Sequence, residues 1–216
     1  MCKKTFLFDF DGTLVDSMPT YASVMLRILD ERGIGYGDDI VKIITPLGYR
    51  GTAEYFRTLG VNESTDQLTE IMNSYAVREY ETSIPAKSGV LEALADMKSR
   101  GYSINVLTAS PHAALDPCLK RLGMWELFDN VWSCDDFNTT KADPEIYVSA
   151  AKRMGCNIES VVFVDDNINA VKTAKAAGMT SCGIFDPSGE EYIDEFKSFA
   201  DGYFMDFAAL EEFFVN

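Results

Sequence analysis

Histidine, paired cysteine and long apolar runs are scarce or absent in this chain of 216 residues. Its single histidine excludes multi-histidine zinc sites and phosphatases that use a histidine nucleophile. The five cysteines form no C-x-x-C pair, which excludes a zinc knuckle and a dithiol redox motif. No apolar run exceeds four residues, so no membrane-spanning helix is predicted, and the run near the N-terminus is too short for a signal-peptide core. We therefore expect a reduced, cytoplasmic protein.

Basic residues are also few: 19 lysines and arginines stand against 34 aspartates and glutamates, which gives a formal charge of −15. This excess disfavours nucleic acids and anionic membranes as partners, because both recruit clustered lysine and arginine. A hydrophobic content of 47% is that of an ordinary globular protein. A small anionic substrate remains compatible with the charge, provided that its site carries a lysine or a metal ion.

Strand-like and helical segments alternate over most of the chain. Runs rich in valine, isoleucine and phenylalanine predict buried strands at residues 4–10, 102–108, 131–134, 160–164 and 180–185. Helical patterns lie between them, at residues 90–100, 117–122, 144–154 and 168–177, two of them introduced by Asp-Pro. Such alternation predicts an α/β fold, in which helices cover both faces of a Rossmann-like parallel sheet.

One block interrupts this alternation after the first strand. Between residues 17 and 81 the apolar residues recur with helical periodicity, and a capping box joins Ser64 and Gln67 before the last helix of the block. We therefore predict a helical cap subdomain at 17–81, inserted into a core domain formed by 1–16 and 82–216. Methionines and aromatic residues at this spacing are more often core residues than cofactor ligands.

The strongest chemical signal is a pair of aspartates at the end of the first predicted strand. Asp9 and Asp11 stand two positions apart, so they face the same side, and Gly12 then allows a sharp turn. The carboxyl edge of a parallel sheet is where ligands bind. Two adjacent carboxylates need a cation or a shared proton, and oxygen ligands of this kind suit Mg²⁺.

With these residues the chain resembles the haloacid dehalogenase (HAD) superfamily, whose signature begins with D-x-D-G-T-L after the first strand. Three further elements of that signature follow in the right order. Thr108 ends the second strand, Lys141 opens the segment K-A-D-P-E-I-Y, and the pair Asp165-Asp166 ends a later strand. The helical insert is similar in place to the small cap of phosphoglycolate phosphatase-like and β-phosphoglucomutase-like members.

The resemblance implies a phosphoric monoester hydrolase that acts through an aspartyl-phosphate. Asp9 would be the nucleophile and Asp11 the general acid and base. Thr108 and neighbouring backbone N–H groups, including that of Ala109, would hold the phosphate oxygens, while Lys141 would offset negative charge. The second acid also separates this chain from the superfamily's dehalogenases, which lack it.

The resemblance further implies Mg²⁺ as cofactor, bound by Asp9, the carbonyl oxygen of Asp11 and Asp166, with Asp165 reaching it directly or through water. Ala170 departs from the family, because many relatives carry another aspartate there.

The sequence allows more than one role for each of two further residues. Arg50, in a predicted cap loop, either grips a second anion of the substrate or is a surface arginine. His112 is expected at a helix start or in a loop rather than as a substrate contact.

The sequence favours a Mg²⁺-dependent phosphatase acting on a small phosphorylated metabolite, of the phosphoglycolate or sugar phosphate type, over three other functions. A response-regulator receiver would carry its acidic pair early, whereas here the pair comes late. A non-catalytic metal-binding or regulatory protein would not need the complete set of acids, hydroxyl and lysine. A β-phosphoglucomutase-like sugar-phosphate mutase uses the same chemistry and remains the main alternative.

Overall fold

Six parallel strands form one sheet in the larger part of the chain. The computed structural model describes residues 4–215, so Cys2 and the outermost residues of the predicted core range lie outside the described residues. The strand order is β3-β2-β1-β4-β5-β6. The strands are β1 (Thr5–Phe8), β2 (Ser103–Thr108), β3 (Asn130–Ser133), β4 (Val161–Asp165), β5 (Thr180–Ile184) and β6 (Gly202–Phe204). The predicted fold class, a Rossmann-like α/β sheet, is confirmed.

The five predicted strands are present, with ends displaced by one or two residues. The sixth strand, β6, was not predicted. It contains only Gly202, Tyr203 and Phe204, too few residues to show a period of two, and it exists because its backbone pairs with β5 at the edge of the sheet.

In the described residues six α-helices accompany the sheet: α5 (Val90–Ser99), α6 (His112–Arg121), α7 (Glu145–Met154), α8 (Ile168–Ala177), α9 (Ile193–Phe199) and α10 (Phe207–Val215). The last two were not predicted. The predicted start of α6 at Pro117 was wrong, since the helix begins at His112 and Pro117 lies inside it. Burial of Ala114 and Leu115 on the apolar face of α6 outweighs the backbone hydrogen bond that this proline cannot donate.

A second compact unit, Ser17–Ile84, separates β1 from α5 along the chain. It contains four helices: α1 (Met18–Glu31), α2 (Ile40–Ile44), α3 (Gly48–Thr58) and α4 (Thr65–Thr82). No strand occurs between its two ends, where every residue has a described backbone. Met25, Ile28 and Phe56 lie in its own apolar core. The capping box is formed, because the Ser64 hydroxyl accepts from the Gln67 N–H and the Gln67 side chain accepts in return.

Strand β1 is buried on both faces. Leu7 belongs to a cluster that includes Tyr147 and Phe163, from α7 and β4. Phe6 and Phe8 project from the opposite face, where their rings contact Phe214 and Phe207 of α10 at centroid distances of 5.1 and 5.9 Å. This two-sided packing holds the carboxyl end of β1 in place. No helix in the described part of the chain is long and apolar enough to cross a bilayer.

We expect Leu7→Ala to lower the free energy of unfolding by about 2–5 kcal/mol, because it opens a cavity in a fully buried cluster. The matched change Leu91→Ala removes the same atoms from a side chain that is 37% exposed and should cost only about 0.5 kcal/mol. Urea unfolding followed by circular dichroism measures both. Equal losses in the two variants would contradict the central role of β1.

Candidate active site

Three acidic side chains and one lysine meet at the carboxyl ends of β1 and β4. Asp9 follows β1 directly, and Asp165 is the last residue of β4. Carboxylate oxygens of Asp9, Asp165 and Asp166 all lie within 4.8 Å of one another. Adjacent parallel strands end at the same edge, which explains why residues more than 150 positions apart along the chain converge.

Lys141 is the cation that contacts this group. Its ammonium donates to the Asp9 carboxylate and, at 2.9 Å, to Oδ2 of Asp165. Burial opposes the charged form of the lysine, but Asp165 and Asp9 outweigh it and hold the Lys141 pKa above its ordinary value. Lys141 is therefore a permanent positive charge beside Asp9.

One ammonium does not neutralise three carboxylates. Burial raises the pKa of Asp9 well above its usual range, against the attraction of Lys141 and with the repulsion of Asp165 and Asp166. Burial, followed by repulsion from Asp165, likewise raises the pKa of Asp166 to about 7. In both groups burial is the first cause of the higher pKa, and repulsion from neighbouring carboxylates adds to it.

The donor set fits a hard divalent cation. Asp9, Asp165 and Asp166 present only oxygen atoms, and Mg²⁺ prefers oxygen ligands. Asp165 is already bonded on both oxygens, since Oδ1 accepts from the Asn167 N–H at 2.7 Å. The freer ligands are therefore Asp9 and Asp166.

The turn after β1 is built against Asp166. The Thr13 hydroxyl donates to Oδ1 of Asp166 at 2.9 Å and accepts from the Asp166 N–H at 3.1 Å. Gly12 has a φ of +73°, and a Cβ at this position would collide with the Asp166 carboxylate. Only glycine allows both the turn and this close approach.

The side chain of Asp11 contacts the loop after β2. Its Oδ2 accepts a hydrogen bond of 2.5 Å from the Ser110 hydroxyl. The Ser110 N–H donates to the hydroxyl of Thr108, which is buried at the end of β2. Ser110 thus joins Asp11 to Thr108 in the loop that also carries Ala109.

Three supporting residues were missed from the sequence. Thr13 stands within the D-G-T segment, where its hydroxyl could have been assigned to the acidic pair. The Tyr147 hydroxyl lies 3.1 Å from the Lys141 carbonyl and 3.2 Å from that of Ala170, and it shares its proton between them. It therefore ties the lysine loop to α8. Ser110 carried no sequence signal of its own.

Ala170 is a buried member of the apolar cluster beside Tyr147, so this position supplies no acid to the site.

Two predicted contacts have other surroundings. Arg50 lies in α3 and not in a loop, because the helix begins at Gly48 to bury Thr52 and Phe56. Its exposed guanidinium pairs with Asp66 at 2.9 Å. His112 is the first residue of α6, as expected for a helix-start histidine.

The ring of His112 lies between Asp116, at 2.7 Å, and Asp136, at 2.8 Å. Hydrogen bonds to these two carboxylates, that to Asp116 first, raise the His112 pKa. Both ring nitrogens of His112 are therefore bonded to carboxylates of the protein itself.

Comparison with known proteins decides the family. The model of the haloacid dehalogenase-like hydrolases matches residues 3–178. The chain belongs to this family. The four signature elements noted in the sequence all lie inside the matched range, so the resemblance inferred from them is confirmed.

Named relatives include phosphatases. Pyrophosphatase PpaX of Bacillus velezensis is 29% identical over 181 residues, covering 82% of this chain and 81% of that protein. The phosphorylated carbohydrates phosphatase of Thermotoga maritima is 28% identical over 174 residues, covering 80% and 81%. The HAD chain is therefore an enzyme, and the prediction of a phosphoric monoester hydrolase is confirmed.

Solved structures share the whole fold. A candidate β-phosphoglucomutase from Thermotoga maritima superposes with a TM-score of 0.80 at 25% identity, covering 93% of both chains. A predicted phosphoglycolate phosphatase from Haemophilus somnus gives 0.78 at 20% identity over 98% of both. At these identities the similarity concerns the fold and leaves the substrate open.

Added Mg²⁺ should stabilise the wild-type protein, because it binds the folded carboxylate group. A concentration of about 100 Kd is expected to add about 2.7 kcal/mol, which corresponds to a rise in Tm of roughly 5–10 °C. Asp166→Asn should show a Tm equal to or above that of the wild type without metal, since repulsion falls, and a markedly smaller rise with MgCl₂. Differential scanning fluorimetry measures both.

The control for this experiment is Asp194→Asn, which removes one exposed carboxylate from the first turn of α9. It should respond to Mg²⁺ as the wild type does. An undiminished Mg²⁺ response in Asp166→Asn would show that the ion binds elsewhere.

Proposed function

We propose that this HAD enzyme is a Mg²⁺-dependent phosphatase of a small phosphorylated metabolite, of the sugar phosphate or phosphoglycolate type, and that it works through an aspartyl-phosphate. The observation that carries the proposal is the buried Asp9 carboxylate, in contact with Lys141 and within 4.8 Å of two further carboxylates. This arrangement offers a nucleophile, a fixed positive charge and oxygen ligands at one point, which is what phosphoryl transfer requires.

In the first step an oxygen of Asp9 attacks phosphorus in line. The bond between phosphorus and the ester oxygen breaks, and its electron pair stays on that oxygen. Asp11 gives this oxygen a proton, so the substrate leaves as an alcohol. The negative charge on the phosphoryl oxygens is stabilised by Lys141, by the Thr108 hydroxyl and by the N–H of Ala109.

In the second step Asp11 takes a proton from a water molecule, whose oxygen attacks phosphorus. The bond between phosphorus and Asp9 breaks, phosphate is released, and the Asp9 carboxylate is restored. Ser110 is placed to orient Asp11 in both steps, because its hydroxyl donates to the carboxylate that exchanges the proton.

Asp9, Asp166 and the carbonyl oxygen of Asp11 would hold Mg²⁺, with Asp165 assisting directly or through water. The bound ion would polarise a phosphoryl oxygen and lower the repulsion between Asp9 and the anionic substrate. Buried Asp165 is occupied mainly in fixing Lys141.

We assign the choice of substrate to the helical unit Ser17–Ile84, as a cap. Arg50 is available to a second anionic group of the substrate, because its side chain is 68% exposed and its partner Asp66 is 83% exposed. A surface pair of this kind stabilises the protein by no more than about 1 kcal/mol, so exchange for a substrate anion costs little.

The names of relatives support sugar and polyol phosphates as the class to test first. They include the phosphorylated carbohydrates phosphatase of Thermotoga maritima and hexitol phosphatase B of Escherichia coli, the latter 27% identical over 191 residues. The chain's negative charge is compatible with such small substrates, which need only the local cations of the site.

Asp9→Asn should lower the rate of p-nitrophenyl phosphate hydrolysis by roughly 10³-fold or more, since the amide is not a nucleophile. Phosphate release is measured with and without Mg²⁺, and EDTA should abolish the wild-type rate. Asp194→Asn, prepared in the same way, should keep the wild-type rate and controls for activity lost during preparation. Substantial turnover by Asp9→Asn would overturn the covalent mechanism, and full turnover in EDTA would overturn the metal requirement.

A panel of hexose phosphates, hexitol phosphates, phosphoglycolate and pyrophosphate should identify the substrate by release of inorganic phosphate. Hexose phosphates are also assayed for isomerised sugar phosphate. We expect free phosphate to exceed isomerised product by at least about tenfold, because the proposed second step transfers the phosphoryl group to water. Isomerised sugar as the main product would instead favour the mutase.

A further inference from the structure

Lys87 is a second lysine at this end of the sheet that neither the sequence motifs nor the mechanism uses. Its ammonium donates to the Gly12 carbonyl at 2.6 Å, to the Phe185 carbonyl at 2.7 Å and to Oδ2 of Asp186 at 3.1 Å. The side chain is only 18% exposed, and that of Asp186 is 1% exposed. All three protons of the ammonium are therefore engaged in a nearly dry space.

The backbone carries Lys87 to the turn that follows β1. Val15 forms an antiparallel bridge with Ala86, and the Lys87 N–H donates to the Leu14 carbonyl at 3.0 Å. From this short ribbon the side chain reaches Gly12, one residue after Asp11. On its other side the ammonium is held by Phe185 and Asp186, directly after β5.

Gly12 gives this contact its importance. Glycine is required there because no Cβ fits beside Asp166, but glycine is also the residue least able to hold a backbone conformation by itself. Gly12 lies between Asp11, which is the proposed acid, and Thr13, whose hydroxyl donates to Asp166. A charged donor on the Gly12 carbonyl fixes the plane of the peptide that joins Gly12 to Thr13.

We propose that Lys87 is a positioning residue for the general acid: by anchoring the Gly12 carbonyl to the end of β5, it keeps the turn in the conformation that presents Asp11 to the leaving oxygen. This inference rests on the proposed phosphatase function and adds a residue to it. Lys87 touches no reacting atom and acts only through the turn.

The competing explanation is that Lys87 merely neutralises buried Asp186. Asp186 also accepts hydrogen bonds from the N–H and the hydroxyl of Ser188, and these fix it in the loop after β5 independently of Lys87. The two explanations differ in what a double variant does. Lys87→Met with Asp186→Asn removes both charges and restores electrical balance, but it leaves the Gly12 carbonyl without its anchor.

Leaving-group dependence provides the decisive readout. Phenyl phosphate needs a proton on its leaving oxygen, whereas p-nitrophenyl phosphate releases a stable anion and needs little help. At saturating Mg²⁺ we expect Lys87→Met to lower kcat/KM about 20-fold or more for phenyl phosphate but no more than about 3-fold for p-nitrophenyl phosphate. The quantity compared is kcat/KM because it reports the transfer to Asp9, and not the later step in which Asp11 acts as base for both substrates. Lys87→Arg should recover most of the loss.

The double variant should regain the Tm lost by Lys87→Met. It should keep the altered ratio of kcat/KM for phenyl phosphate to kcat/KM for p-nitrophenyl phosphate. Asp186→Asn alone should keep the wild-type ratio. The matched control is Lys175→Met. Lys175 lies in the last turn of α8, and its ammonium likewise donates to a backbone carbonyl (Phe199) and to a carboxylate (Asp201). Its loss should leave the ratio unchanged.

The proposal is overturned if the double variant recovers the wild-type ratio, if Lys87→Met lowers kcat/KM equally for both substrates, or if Lys175→Met changes the ratio as much. These results leave the phosphatase function standing, because the wild type still hydrolyses both substrates. Failure of the wild type to hydrolyse either one would instead refute the proposed function itself, and the role of Lys87 with it.

Discussion

Asp9, Asp165 and Asp166 bring three negative charges into a space where Lys141 supplies one positive charge. In water such a group would ionise and separate, but here the sheet fixes two of its members at adjacent strand ends. Burial, and after it the repulsion between the carboxylates, raises the pKa values of Asp9 and Asp166. A group of carboxylate oxygens of this kind could hold a divalent cation, which would offset the negative charge.

Holding like charges together requires supports from several elements. Tyr147 ties the lysine loop to α8, Thr13 binds Asp166, and the Asn167 N–H binds Asp165. Lys87 performs the same kind of work on the turn after β1, where a glycine is sterically required and conformationally weak. These supports are hydrogen bonds within buried surroundings, where an unsatisfied polar group is costly. They fix the positions of the acidic side chains, of Lys141 and of the turn after β1.

Much of the fold was predictable because it rests on local patterns. Buried parallel strands appear as short apolar runs, and helices appear through their periodicity, so five strands and the family could be read directly. The errors arose where tertiary packing outweighed local preference. The helix α6 runs through Pro117 because its apolar face is buried, and β6 forms because β5 offers an edge to pair with. Arg50 is helical since Thr52 and Phe56 on the same helix pack inside the helical unit.

The sequence by itself determined which chemical groups are present and in what order: two acids after the first strand, a hydroxyl, a lysine and a second acidic pair. These are recognisable because each is local to a strand end. Only the tertiary structure decided that Lys141 contacts Asp9 and Asp165, that Ser110 binds Asp11 and that Lys87 binds the Gly12 carbonyl. Such contacts join residues about 25 to 130 positions apart, and their strength depends on burial, which no local pattern reports.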